Sequence, residues 1–156
     1  MQPPAEQLAE QLRDHGLRAT TTRVAVLRAV SELSGHPDTD TIAGRVRETL
    51  GTISTQAVYD GLHAMTRVGL LRRIEPAGSP ARYETRVGDN HHHLVCRSCG
   101  AAHDIDCVVG AAPCLDPGSE TAGFVVDEAE VTFWGVCPAC QSASASASGA
   151  GVAAAR

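Results

Sequence analysis

Three adjacent histidines, His91, His92 and His93, run into Cys96-Arg97-Ser98-Cys99-Gly100, so imidazole and thiol ligands sit within nine residues. A second pair, Cys137-Pro138-Ala139-Cys140, follows after an interval of 37 residues. Each Cys-x-x-Cys turn offers two thiolates to one metal, and Cys96, Cys99, Cys137 and Cys140 together complete a tetrahedral four-sulfur zinc site. The interval exceeds that of a simple zinc finger, so a whole subdomain is threaded between the pairs. The bland alternative is four unrelated thiols in a reducing cell, and the matched spacing of both pairs makes it the poorer reading. The histidines are not needed for that zinc. They remain for a second, weaker metal site.

Composition bounds what can carry these ligands. At 156 residues the chain makes one ordinary domain or two small ones, and its aromatic content of 3% leaves the core to Val, Leu, Ile and Ala. Small cores of that kind often need a structural metal. No apolar run reaches the ~20 residues of a membrane span, and no charged-then-apolar leader opens the chain, so a cytoplasmic protein is expected. Paired cysteines then hold zinc more often than permanent disulfides. The net charge of −5 is unevenly spread. Residues 1–83 carry ten Arg against nine acidic residues, and residues 84–156 carry three Arg against nine. There is no Lys, so phosphate contacts fall to Arg clusters on the first half, while the acidic second half suits cations.

The elements that must position the ligands follow from periodicity. Residues 4–15 place Leu8 and Leu12 at helical spacing, with Gly16 as a stop. Thr20, Thr21 or Thr22 caps a second helix, whose stripe is Val24, Leu27, Val30 and Leu33, widened by Val26 and Ala29. Asp38-Thr39-Asp40 caps a third, with Ile42, Val46 and Leu50 inward and Gly51 at its end. Ser54 or Thr55 caps a fourth, which buries Val58, Leu62, Met65 and Val68 and turns Thr55, Gln56, Tyr59 and His63 outward. Gly69 to Ile74 and Ala81 to Thr85 read as two short strands around Pro76-Ala77-Gly78-Ser79-Pro80. Helices followed by a small hairpin make a winged helix-turn-helix, in which the start of the last helix enters the major groove. A small helical domain that binds no DNA is the alternative, and exposed Tyr59 beside Arg72-Arg73 favours DNA. After a polar hinge at 86–90, Leu94-Val95 and Ala101 to Asp106 read as strands and Cys107 to Cys114 as a helical turn or two. Phe124 to Val126 and Val131 to Trp134 read as strand, ending at Cys137. The expected layout is α+β: a winged helix-turn-helix over 1–85, a hinge, a small α/β dimerisation and metal-binding domain over 91–141, and a disordered Ser/Ala/Gly tail over 142–156.

Taken as an ordered set, the motifs resemble the ferric uptake regulator family over roughly residues 8 to 140. They are Thr22-Arg23, Gly35-His36-Pro37, Thr55-Gln56-Ala57-Val58-Tyr59, Arg82-Tyr83-Glu84, His91 through Gly100, His103-Asp104, and Trp134 through Cys140. Glu120 to Gly123 and Asp127-Glu128-Ala129-Glu130 resemble an actinobacterial branch that represses catalase-peroxidase genes. The resemblance implies a homodimeric, metal-dependent repressor of iron or oxidative-stress genes that binds a palindromic double-stranded DNA operator. It implies a structural Zn(II) on Cys96, Cys99, Cys137 and Cys140. It implies a regulatory site on His36, Glu84, His91, His93 and Asp104, whose nitrogen and oxygen donors suit Fe(II) or Mn(II), with Ni(II) or Zn(II) as alternatives. His91 and His93, two apart on a strand, share one face.

For DNA, Tyr59 is expected to touch a thymine methyl, with Thr55 and Gln56 beside it. Arg18 matches a residue that family members place in the minor groove, and Arg23 is expected on phosphate. Members tuned to peroxide generally carry Asp where this chain has Glu84, so the longer carboxylate resembles iron-sensing members. Asn90 and Ala129 stand where a further site's histidines are expected. His92 is read as solvent-facing, with partnership to Glu128 or Glu130 as the alternative. Cys107 and Cys114 are either small apolar residues or a redox pair. A zinc hydrolase fails on the absence of H-E-x-x-H, so no enzyme is expected. A metal-buffering or redox protein without a DNA role is the remaining alternative class.

Overall fold

The computed structural model describes residues 3–110, 115, 116, 118, 121–126 and 129–149, and it divides into two compact units between Asp89 and Asn90. The first unit runs α1 (Ala5–Asp14), α2 (Thr21–Glu32), α3 (Thr39–Leu50), α4 (Thr55–Arg67), β1 (Arg72–Ile74) and β2 (Arg82–Glu84). Three helix starts are set by side-chain caps. Thr20 accepts the Arg23 N–H at 3.3 Å, Asp38 the Thr41 N–H at 2.9 Å, and Ser54 the Ala57 N–H at 3.2 Å. Gly51, at φ 75°, ends α3 in a left-handed turn that a side chain would strain.

The core of this unit joins Leu8 and Leu12 of α1, Val26, Leu27 and Val30 of α2, Ile42 and Val46 of α3, and Val58, Leu62 and Met65 of α4. Each such side chain contributes roughly 1.5–3 kcal/mol when fully buried. Because α2 packs on α1, α3 and α4 at once, it buries a wide face rather than a stripe, and Val24 and Leu33 are only half-buried. The wing pairs antiparallel with Arg72 opposite Glu84 and Ile74 opposite Arg82. Its strands are shorter than expected because residues 69–71 close α4 instead. There the Gly69 N–H donates to Thr66 O at 3.1 Å and the Leu70 N–H to Met65 O at 2.9 Å.

The second unit holds β3 (His91–Cys96), β4 (Ala102–Asp106), β5 (Thr132–Gly135) and α5 (Pro138–Gly149). β3 is central, antiparallel to β4 and parallel to β5. Four expectations need correction. The strand begins at His91, not Leu94, because the histidines take up the register with β4. Cys107 to Gly110 is irregular rather than helical: the Cys107 N–H turns back to Asn90 O at 3.2 Å, and Gly110 adopts φ 73°. Phe124 to Val126 is irregular too, following a turn in which Ala122 and Gly123 both have positive φ. The tail expected to be disordered from 142 continues α5 to Gly149. Alanine is the strongest helix former, Pro138 suits the first helical position, and Ser142 and Ser144 direct their hydroxyls to the carbonyls of Pro138 and Cys140 at 3.0 and 2.9 Å. Among the described residues no helix is long and apolar enough to cross a membrane.

Candidate metal centres and nucleic-acid interface

In the second unit, β3 delivers Cys96 into a tight turn closed by the Gly100 N–H on Cys96 O at 2.9 Å, with Gly100 at φ 72°. That turn brings Cys99 back beside Cys96. β5 lies parallel to β3, and the Arg97 N–H donates to Gly135 O at 2.8 Å, so the next residues place Cys137 and Cys140 at the same end. The four sulfurs lie within 4.8 Å of one another, and none of these cysteines is in a disulfide. Cys99 and Cys137 are 3.7 Å apart. A tetrahedron of ~2.3 Å Zn–S bonds has edges of about 3.8 Å, so the donor set fits zinc.

The electrostatics of the knot agree with that fit. The Cys137 backbone N–H, 3.3 Å from Cys96 Sγ, and then those of Cys99 and Ser98 hold the Cys96 thiol down to about 6. A hydrogen bond from Ser98 pulls Cys140 down. It is outweighed by the neighbouring thiols of Cys137, Cys99 and Cys96, which push it up to about 11. Four thiolates crowded together repel one another, and a cation at their centre removes the conflict.

In the first unit, the loop after α2 is stapled to β2. The Tyr83 N–H donates to Pro37 O at 3.0 Å, Arg82 Nη1 donates to His36 O at 2.9 Å, and the backbones of Asp38 and Arg82 pair in an isolated antiparallel β-bridge. This staple sets buried His36 against buried Glu84, with Nε2 and Oε2 3.1 Å apart. Adjacent ligands of an octahedral ion with ~2.1 Å bonds lie about 3.0 Å apart, so the pair suits two neighbouring positions. Arg72, opposite Glu84 in the wing register, places Nε 3.8 Å from Glu84 Oε1. Sequence reasoning missed this contact because strand register is a long-range property.

In the second unit, the same face of β3 carries His91 and His93, whose rings meet edge-on at 5.0 Å. Asp104 stands opposite His93 on β4, with Oδ1 3.7 Å from His93 Nε2 and 3.8 Å from His91 Nε2. Those separations lie between the ~3.0 Å of adjacent and ~4.2 Å of opposite ligands about an octahedral ion. His92 points to the other face and is buried, with its ring centroid 6.2 Å from that of Phe133. The solvent-facing reading of His92 is therefore overturned: the Phe133 ring of β5 packs beside it, although Leu94 and Ile105 on the same face stay more than a third exposed. Cys107 is partly buried, and its suggested redox partner Cys114 lies outside the described residues, as do Glu120, Asp127 and Glu128.

The start of α4 exposes Thr55, Gln56, Tyr59 and His63. Beside it an open hollow of about 680 Å³ is lined by Gln56, Tyr59, Asp60, His63, Arg73 and Glu75, among others. Arg47 Nη2 donates to Thr55 Oγ1 at 3.0 Å, and Gln56 Nε2 to Asp60 Oδ1 at 2.8 Å. The Gln-x-x-x-Asp spacing could have flagged the second contact in the sequence. Arg18 is exposed before α2, and Arg23 Nη1 donates to Arg18 O at 3.1 Å. One N–H of Arg23 thus shapes the loop that presents Arg18.

A winged helix joined in one chain to a four-thiol knot and to clustered imidazoles and carboxylates defines a metal-responsive, DNA-binding transcriptional regulator. The chain belongs to the ferric uptake regulator family, whose sequence model matches residues 14–109. It is 61% identical over 132 residues to the transcriptional regulator FurA of Mycobacterium tuberculosis, covering 85% of this chain and 88% of that protein. It is 57% identical over 133 residues to ferric uptake regulation protein 2 of Mycolicibacterium fortuitum, covering 84% and 90%. Its fold is similar to that of the Helicobacter pylori ferric uptake regulator, with a TM-score of 0.66 at 19% identity over 90% of this chain and 95% of that one.

Proposed function

We propose that the chain is a homodimeric, metal-dependent repressor of iron or oxidative-stress genes that binds palindromic double-stranded DNA. The observation that carries this reading is the division of ligands. The unit presenting α4 holds His36 and Glu84 as an adjacent pair, while His91, His93 and Asp104 belong to the other unit. Mixed imidazole and carboxylate donors suit Fe(II) or Mn(II). A bound divalent ion supplies positive charge and directional coordination there. His36 and Glu84 reaching the same ion as His91, His93 and Asp104 ties α4 to the second unit. Binding then stabilises only the arrangement in which both sets reach it. Cys96, Cys99, Cys137 and Cys140 hold a separate structural zinc.

The homodimer is supported by the sheet of the second unit. Leu94, Ile105 and Phe133 are each more than a third exposed and share one face by register, the kind of apolar patch that a second copy covers. Two-fold symmetry then places one α4 on each half of a palindrome. Tyr59 contacts a thymine methyl, Thr55 and Gln56 read neighbouring base edges, and Arg18 and Arg23 serve the minor groove and phosphate. Iron as the signal is supported by the name of one relative, ferric uptake regulation protein 2, and oxidative stress by that of a more distant one, the peroxide-responsive repressor PerR of Staphylococcus epidermidis, 26% identical over 140 residues.

Operator binding by fluorescence anisotropy tests the reading. Zinc-loaded protein is titrated onto its own upstream DNA without oxygen, with Fe(II), Mn(II), Ni(II) or extra Zn(II) added, and peroxide follows. Binding switched on by Fe(II) or Mn(II) is the expected result, and Tyr59→Ala should lose operator preference while retaining binding to random duplex. Operator affinity independent of every metal would sink the reading.

A further inference from the structure

The face that α4 turns outward carries an acid. Asp60 follows Tyr59 directly and is exposed, and its Oδ1 accepts a hydrogen bond from Gln56 Nε2 at 2.8 Å. A carboxylate on a surface that meets phosphates lowers affinity for any duplex. We propose that Asp60 is a specificity-determining residue. It locks the Gln56 amide in one orientation, so that α4 selects adenine over guanine at the base pair Gln56 meets. This rests on the DNA-reading role given to α4 above.

The argument is one of donor and acceptor inventory. The two ends of a glutamine amide have nearly the same shape, and an unrestrained amide presents either one. A carboxylate only accepts, so Asp60 holds the NH₂ end and never the carbonyl. Gln56 then keeps one N–H and its Oε1 for a partner. Adenine offers N7 as acceptor and its N6 amino group as donor, which complements that pair. Guanine offers N7 and O6, two acceptors, and so sets O6 against the carbonyl. A freely turning amide escapes that conflict and loses the distinction. Arg47 treats the neighbouring residue in the same way: by donating to Thr55 Oγ1 at 3.0 Å it leaves the hydroxyl hydrogen to donate outward. Thr55 and Gln56, the first two residues of α4, are therefore each held in a defined donor and acceptor state before any base arrives. An ordinary i, i+4 pair that merely supports the helix would leave base choice untouched.

The experiment is selection from a randomised duplex library by the intact, zinc-loaded chain with excess Mn(II). It compares the unsubstituted protein with Gln56→Ala, Asp60→Ala and Asp60→Asn. The unsubstituted protein should enrich adenine at one position of each half-site, and Gln56→Ala should lose that enrichment. Asp60→Asn decides the matter. It preserves size and the capacity to pair with Gln56, but an amide both donates and accepts, so the lock is gone. Both Asp60 variants should fall from about ten-fold preference for adenine over guanine to about two-fold or less, while binding random duplex more tightly. Unchanged adenine preference in Asp60→Asn overturns the proposal, as does unchanged preference in Gln56→Ala. Failure of the unsubstituted protein to enrich any sequence overturns instead the DNA-reading role of α4, and this proposal with it.

Discussion

Every side chain in the main apolar cluster belongs to the first unit, from Leu8 on α1 to Tyr83 on β2. The second unit buries only Val95, Cys96 and Ala102 among its described apolar residues, and it leaves Phe124 77% and Val125 95% exposed. Its ordered sheet converges instead on side chains of metal-ligating type, with four sulfurs at one end of β3 and two histidines near the other. Two small units of one chain thus meet the shortage of buried area in different ways. The first pools apolar area across four helices. The second gathers donor atoms instead, and if its four sulfurs hold a metal its folding should depend on that ion.

The largest effect expected from this contrast is that of zinc removal. Apparent binding energies at structural zinc sites run to roughly 10–16 kcal/mol in zinc-finger peptides, comparable to the whole stability of a small domain. Trp134 is the chain's one tryptophan, lies on β5 and is stacked 5.2 Å from the Arg97 guanidinium, so its emission reports the second unit alone. Chelation, or Cys99→Ser, should unfold that unit while the helical circular dichroism of the first persists. Loss of both signals at the same chelator concentration would break the comparison. The converse variant is Leu62→Ala, at a fully buried position on α4. It should cost about 2–5 kcal/mol in the first unit alone, lowering the helical transition without changing zinc content or the Trp134 signal.

The exposed carbon of the second unit sharpens the contrast further. If Leu94, Ile105 and Phe133 face a second copy, Leu94→Asp should raise the dimer dissociation constant by about ten-fold or more, measured by analytical ultracentrifugation. Bound zinc should stay at the level of the unsubstituted chain. A dimer of unchanged affinity would mean that this face is solvated in the assembly, and the second unit would then rest on metal alone.

The same contrast explains what could be read in the sequence. In the first unit Ser54, Val58, Leu62 and Met65 announce α4 because capping and burial leave a local, periodic trace. The clustering of the four cysteines was equally legible, since Cys-x-x-Cys spacing on both sides is a local signal. The rest of the second unit was not. Phe124-Val125-Val126 has the composition of a buried strand, yet it pairs with none of the described strands, and composition does not say what will cover a side chain. His92 was misread for the same reason, because the neighbour that covers it, Phe133, comes 41 residues later. The helix from Gln141 to Gly149 was hidden by reading Ser and Ala as tail composition and overlooking alanine's backbone preference.

The smallest effect distinguishes the units by their response to acid. Asp38 caps α3 through Thr41, and hydrogen bonds from the Thr41 side chain and then its backbone N–H hold the carboxyl below its usual range. Arg82 adds to this, and burial opposes it. Because the folded value lies below the unfolded one of about 3.9, the ionised cap contributes fully above that pH and its contribution is lost as pH falls through the lowered value. Asp38→Ala should therefore cost about 1 kcal/mol at neutral pH. Asp38→Asn should cost less there, because the amide oxygen still accepts, but it should flatten the acid limb of the helical stability curve. The second unit follows different chemistry. Protons compete with zinc for its thiolates, so acid should extinguish the Trp134 signal at a higher pH than the Asp38 effect, and added zinc should restore it. An acid limb unchanged by Asp38→Asn would remove Asp38 from this account, and coincident loss of both signals would mean that the two units do not fold by separate means.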